Sequence, residues 1–130
     1  MATYEHVLVV DDSEIDQLIV KKVLQITNFS KHTIVKNSGQ SALEYIAVTP
    51  PEELPEIIFL DLNMPVLDGL GFLRIFDSLP DIVQQICKII VLSSSTSKED
   101  LSKVLESEFV IKVITKPLTI DIIRDFIAGH

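Results

Sequence analysis

The sequence predicts an α/β domain in which a doubly wound, five-stranded parallel sheet is wrapped by five helices. Three observations predict it. Short apolar runs alternate with amphipathic stretches along the whole chain, the pattern of successive βα units. The run 57–60, Ile-Ile-Phe-Leu, is apolar at every position, as a strand covered on both faces requires. Three runs also end in charge: 6–10 leads into Asp11-Asp12, 56–60 into Asp61, and 110–114 to Lys116-Pro117.

The elements follow in order. His6-Val7-Leu8-Val9-Val10 is the first strand, and Ser13 caps a helix whose apolar stripe is Ile15, Leu18, Ile19, Val23 and Ile26. Thr33-Ile34-Val35 is a short second strand. Ser38-Gly39 opens a helix with Ala42, Leu43, Ile46 and Ala47, which stops before Pro50-Pro51. After the third strand, Asp68-Gly69 begins a helix with Phe72, Leu73 and Phe76 inward. The fourth strand covers 88–92, and Ser97 caps a helix displaying Leu101, Val104 and Leu105. The fifth strand covers about 110–114, and the last helix carries Ile120, Ile123 and Ile127. No linker or internal repeat interrupts the five units, so 1–130 reads as a single domain with no output domain.

Right-handed crossovers restrict how such units join. Strand order 2-1-3-4-5 places strands 1 and 3 at the switch point, with Asp11, Asp12 and Asp61 in one crevice beyond the carboxyl ends of the strands. Ligands of open α/β sheets bind there. The clustering of chemistry recommends this order, which is that of flavodoxin-like folds.

A chain of 130 residues buries one core of useful size. The formal net charge of −8 argues against a nucleic-acid surface, which needs clustered Lys and Arg. The single cysteine, Cys87, cannot form an internal disulfide and reads as a small buried hydrophobe. No stretch approaches the length of a membrane span and the first residues lack a signal-peptide pattern, so a soluble, cytoplasmic protein is expected. His6, His32 and His130 are too scattered for a metal site and read as surface residues.

Three carboxylates within a few ångströms raise one another's pKa unless a cation relieves them. An oxygen-only donor set suits a hard ion, so Mg2+ is expected on Asp12, Asp61 and the Asn63 backbone carbonyl, with Asp11 acting through water. Zinc is disfavoured, because no Cys or His stands at ligand spacing. Magnesium beside a carboxylate, a lysine and a hydroxyl suits phosphoryl transfer, which needs positioning and charge neutralisation above all. Asp61 is the candidate nucleophile, giving an aspartyl phosphate; Lys116 and the Ser93 hydroxyl are its candidate partners on the phosphoryl oxygens. Each residue alone has a plainer reading: a strand-end Asp is usually a turn or cap residue, and a lone Lys a solvated charge. Their coincidence at one sheet edge outweighs those readings.

The chain resembles a response-regulator receiver domain of two-component signalling over essentially its whole length. The matching pieces are Val9-Val10-Asp11-Asp12-Ser13, Leu60-Asp61-Leu62-Asn63-Met64-Pro65 with Asp68-Gly69, Val91-Leu92-Ser93-Ser94 and Thr115-Lys116-Pro117-Leu118. The resemblance implies that a sensor histidine kinase or histidine phosphotransfer protein donates a phosphoryl group to Asp61 with Mg2+ bound, and that the receiver catalyses its own later hydrolysis. It implies that Ser93 then moves toward the phosphoryl oxygens, that the face built from the fourth and fifth predicted helices and the fifth strand changes shape, and that a downstream protein effector reads it. It implies a cis bond at Lys116-Pro117. Asn63 and Ser95 match positions that tune access of the hydrolytic water. Val113 departs from the pattern: many members carry an aromatic residue there that swings with the hydroxyl residue. The segment Glu106-Ser107-Glu108 replaces a glycine before the last strand.

Two other functions compete with a stand-alone receiver that is not an enzyme toward other molecules. An aspartate-nucleophile phosphohydrolase of the haloacid dehalogenase type would need a second Asp two positions after the nucleophile, where Asn63 stands. A flavodoxin-like or nucleotide-binding module would need a phosphate-cradling glycine loop, which Gly69 and Gly71 do not supply.

Overall fold

A computed structural model describes residues 2–64, 66–94 and 98–129. Five parallel strands form one sheet in the order β2-β1-β3-β4-β5. They are β1 (Tyr4–Val10), β2 (Ser30–Lys36), β3 (Ile57–Asp61), β4 (Lys88–Ser93) and β5 (Val110–Thr115). The helices are α1 (Glu14–Ile26), α2 (Gly39–Val48), α3 (Gly69–Phe76), α4 (Asp81–Ile86), α5 (Lys98–Leu105) and α6 (Ile120–Ala128), with a 3-10 turn at Pro51–Glu53.

Alternation along the strands explains why helices cover both faces. Ile58 and Leu60 of β3 join Leu8, Val10, Ile89 and Val91 against Ala42, Ile46, Phe72, Phe76 and Val104. Ile57 and Phe59 point the other way, with Val7, Val9, Ile90 and Leu92 against α1 and α6. Every residue of β3 is buried. At about 1.5–3 kcal/mol for each large apolar side chain removed from water, this central strand anchors both layers. Phe29 lies within 5.6 Å of Phe59 and 6.1 Å of Phe126, centroid to centroid, tying β3 to α6.

Polar residues start the helices as the sequence requires. The backbone N–H of Asp16 donates to Ser13 Oγ, that of Ser41 to Ser38 Oγ and that of Gly71 to Asp68 Oδ1. The expected cap at Ser97 lies outside the described residues, as do Pro65, Ser95 and His130.

The structure departs from expectation in three places. A sixth helix, α4, joins the five expected ones; it is a turn and a half long, begins after Pro80 and buries only Val83, too short for periodicity to reveal. Strand β2 runs from 30 to 36 rather than 33 to 35, because its ladder with β1 continues through the polar residues Ser30 and His32. The stripe expected of α1 faces largely outward: Ile15 is 71% exposed, Leu18 66%, Ile26 47% and Ile19 37%. Of that stripe Val23 alone is buried, and it packs on the sheet with Val20 and Leu24. Helical spacing fits both faces of this helix, and the face that meets the sheet is the one that also carries Asp16 to the site.

His6 and His32 stand opposite one another in the β1–β2 register, their rings stacked at 5.3 Å. They lie toward the amino ends of the strands, away from the acidic edge. Cys87 is fully buried, and burial pushes its thiol up to about 12.

Candidate functional site

The parallel register brings the ends of β1, β3, β4 and β5 to one edge. Val10 pairs with Leu60, Asp61 with Leu92, and Ser93 with Thr115, so Asp11, Asp12, Asp61, Ser93 and Lys116 emerge together. Each of Asp11, Asp12 and Asp61 offers a carboxylate oxygen within 4.8 Å of the others. Asp11 and Asp61 are buried, whereas Asp12 is exposed. The three acids thus converge at one edge of the sheet.

Local hydrogen bonds fix the acids. Asp11 Oδ1 accepts the backbone N–H of Ser13 at 3.0 Å, and Asp11 Oδ2 accepts from Lys116 Nζ at 3.1 Å. The Gln17 amide donates to the Asp11 carbonyl, anchoring α1 on the strand it follows. Asp61 Oδ1 accepts the backbone N–H of Asn63 at 3.1 Å and lies 3.4 Å from Lys116 Nζ. The exposed Asn63 side chain donates to Ser94 Oγ at 3.3 Å. Ser93 is buried at the end of β4, and its carbonyl accepts the backbone N–H of Lys116 at 2.9 Å. The Lys116-Pro117 bond is cis, as expected.

Asp16 is the residue the sequence did not announce. Its Oδ2 lies 2.7 Å from Lys116 Nζ, closer than either Asp11 or Asp61. The signal was present as a carboxylate four positions after Asp12, one turn into a helix that starts at the site.

Electrostatics follow from burial. Desolvation pushes the Asp61 carboxyl up from the ordinary 3.8 to about 6. The Asn63 N–H opposes that rise, the Asp11 charge adds to it and Lys116 again opposes it. For Lys116, burial works against the charge, but the hydrogen bonds to Asp16 and Asp11, with the charge of Asp61, outweigh it and hold the ammonium above its ordinary range. The arrangement is therefore an acid held reluctant to ionise beside a permanently charged amine.

The loop after Asp61 is shaped by close approach. A Cβ on Gly69 would lie 2.7 Å from Leu62 Cα and 3.1 Å from the Asp61 carbonyl oxygen, so only glycine lets α3 start against the strand end. Val66, fully exposed, has a positive φ of 66°, a left-handed conformation that β-branched residues disfavour. Val113 is partly buried and packs against the layer containing Phe76 and Phe109.

Residues 7–128 match the profile of the response regulator receiver domain. The chain belongs to that family. The receiver is 32% identical over 111 residues to protein-glutamate methylesterase/protein-glutamine glutaminase 5 of Myxococcus xanthus, covering 85% of this chain and 30% of that protein. It is 29% identical over 98 residues to the response regulator Rcp1 of Synechocystis, covering 73% of this chain and 65% of Rcp1. The chain thus spans less than two thirds of the length of these relatives. The crystal structure of a response regulator receiver protein from Dyadobacter fermentans superposes with a TM-score of 0.84 at 25% identity, covering 96% of each chain. The Mn(2+)-bound form of Rcp1 superposes with a TM-score of 0.74 at 27% identity, over 96% of this chain and 90% of that one. Family membership sets aside the phosphohydrolase and nucleotide-module readings. No helix among the described residues is long and apolar enough to cross a membrane.

Proposed function

We propose that residues 1–130 act as one receiver unit in the cytoplasm that accepts a phosphoryl group on Asp61 and signals through protein–protein contacts. The observation that carries this reading is the meeting of Asp11, Asp12 and Asp61 within 4.8 Å of one another, with Lys116 Nζ 3.4 Å from Asp61, at the carboxyl edge of the sheet.

The donor set fits Mg2+: three carboxylates and no thiolate or imidazole, and the Asn63 carbonyl would serve as a further oxygen. That the related Rcp1 has a Mn(2+)-bound form supports the assignment. When bound, the ion supplies positive charge against the phosphoryl oxygens and makes several ionised acids compatible at one place. The residues of the chain do the rest. Asp61 Oδ1 is engaged by the Asn63 N–H and Lys116, which leaves Oδ2 to attack phosphorus. The Oδ2–P bond forms as the N–P bond of a phosphohistidine breaks, and the electron pair leaves with the imidazole nitrogen. Lys116 and the Ser93 hydroxyl then hold separate phosphoryl oxygens. In dephosphorylation, water attacks phosphorus and the Asp61 carboxylate departs, with Asn63 at the approach.

The phosphodonor is a sensor histidine kinase or a histidine phosphotransfer protein. The outward apolar face of α1, with Ile15, Leu18 and Ile19, offers it a place to dock directly beside the acids. A groove of about 310 Å³ between Ile19, Lys116 and Pro117 continues that face to the site.

Incubation with acetyl phosphate and Mg2+ should add one phosphoryl group by intact mass to the wild type and none to Asp61→Asn. Equal modification of the two proteins would refute the assignment.

A further inference from the structure

Lys116 is contested. Its ammonium has three protons and faces three carboxylates, at 2.7 Å from Asp16, 3.1 Å from Asp11 and 3.4 Å from Asp61. These anions are not equivalent. Asp11 is buried and its second oxygen is pinned by the Ser13 N–H, so it cannot follow the lysine. Asp61 is the acceptor itself. Asp16 makes the shortest contact, yet its side chain is 35% exposed and stands on α1 rather than on a strand end. Among the described residues it is the fourth carboxylate of the site, and the reaction proposed above makes no use of it.

We propose that Asp16 is a positioning residue that holds the Lys116 ammonium on the α1 side of the site, so that a phosphoryl group on Asp61 must win the lysine away from it. This rests on Asp61 being the acceptor. A phosphoryl group brings more negative charge than the carboxylate it caps, and lies nearer the site's centre than Asp16. It therefore draws Lys116 inward, at the cost of an ion pair that water already partly screens. Asp16 thereby sets how far the resting arrangement is favoured over the phosphorylated one.

The same geometry gives Asp16 a second, opposite effect. By pulling the ammonium toward α1, it keeps that charge from resting fully on Asp11 and Asp61, the acids a divalent cation would use. Removing the Asp16 charge lets Lys116 settle nearer Asp11 and Asp61, which opposes the cation but places the ammonium beside a phosphoryl oxygen arriving at Asp61. Asp16→Asn should therefore weaken Mg2+ binding and speed phosphorylation together. A residue that merely supported the fold would weaken both.

The experiment uses the full chain. Mg2+ affinity of the unphosphorylated protein is measured by calorimetric titration, and phosphorylation by acetyl phosphate at saturating Mg2+ is followed by intact mass. In Asp16→Asn the Mg2+ dissociation constant and the phosphorylation rate should each rise about threefold, the scale of a partly exposed ion pair. In a Lys116→Ala background, the same substitution should leave the phosphorylation rate unchanged. A rate that is unaltered or slower in Asp16→Asn, or an equal gain without Lys116, overturns the proposal while leaving Asp61 as acceptor. A wild type that takes up no phosphoryl group overturns the reading beneath it as well.

Discussion

The raised Asp61 carboxyl makes a stability prediction that is opposite in sign to the usual one for a buried acid in an ion pair. At neutral pH the carboxylate is charged in both the folded and the unfolded chain, but the folded chain holds it at a site that favours the proton. Below the ordinary 3.8 both states are protonated and the group contributes nothing. Between 3.8 and about 6 the folded state keeps a proton that the unfolded state has released, so stability falls as pH rises through this window. Above about 6 the full penalty stands. That difference, at about 1.4 kcal/mol per pH unit, bounds the penalty at about 3 kcal/mol. Asp61→Asn removes the charge and keeps an oxygen for the Asn63 N–H, while Lys116 retains Asp11 and Asp16. Urea unfolding followed by circular dichroism, with a chelator present, should show Asp61→Asn more stable than wild type at pH 8 by up to about 3 kcal/mol, the advantage vanishing near pH 4. Adding Mg2+ should narrow the gap, because an ion that binds only the folded wild type stabilises it by mass action. A variant no more stable than wild type at pH 8, or an advantage unchanged at pH 4, would refute the reasoning.

Three further outcomes follow from particular contacts. Gly69→Ala should lose about 1–3 kcal/mol in urea unfolding, because its Cβ meets the backbone of Leu62 and Asp61, which cannot give way as the Leu62 side chain beside them could. Val66→Asn should gain about 1 kcal/mol, since Asn tolerates the left-handed backbone and the valine side chain buries nothing there. Lys116→Ala should weaken the conformational response to phosphorylation, read by backbone NMR shifts, without loss of Mg2+ affinity, because the ammonium competes with the cation for Asp11 and Asp61; weaker Mg2+ binding with an intact response would contradict its role on the phosphoryl group.

Much of the fold was legible because parallel sheets write themselves plainly in sequence. Strand 57–61 is apolar on both faces, so nothing but a central strand suits it, and the acids that end β1 and β3 mark the same edge. The serine and aspartate caps at Ser13, Ser38 and Asp68 gave the helix starts for a chemical reason, the need of free N–H groups for an oxygen. The orientation of α1 was not legible, since apolar residues stand at helical spacing on both of its faces and nothing local says which face meets the sheet. Helix α4 was hidden by its brevity. Asp16 was hidden for a related reason: its partner lies 100 residues away in the chain, and no local pattern distinguishes it from an ordinary first-turn acid that favours the helix dipole. His6 and His32 likewise become neighbours only through strand pairing.

The rung between the Ser93 carbonyl and the Lys116 N–H joins two segments that a phosphoryl group would pull on separately. Serine and lysine are thus not two levers but one yoke: the peptide that carries the hydroxyl is bolted to the peptide that carries the amine. A displacement of the β4 tip would therefore be felt at the start of the chain leading into α6.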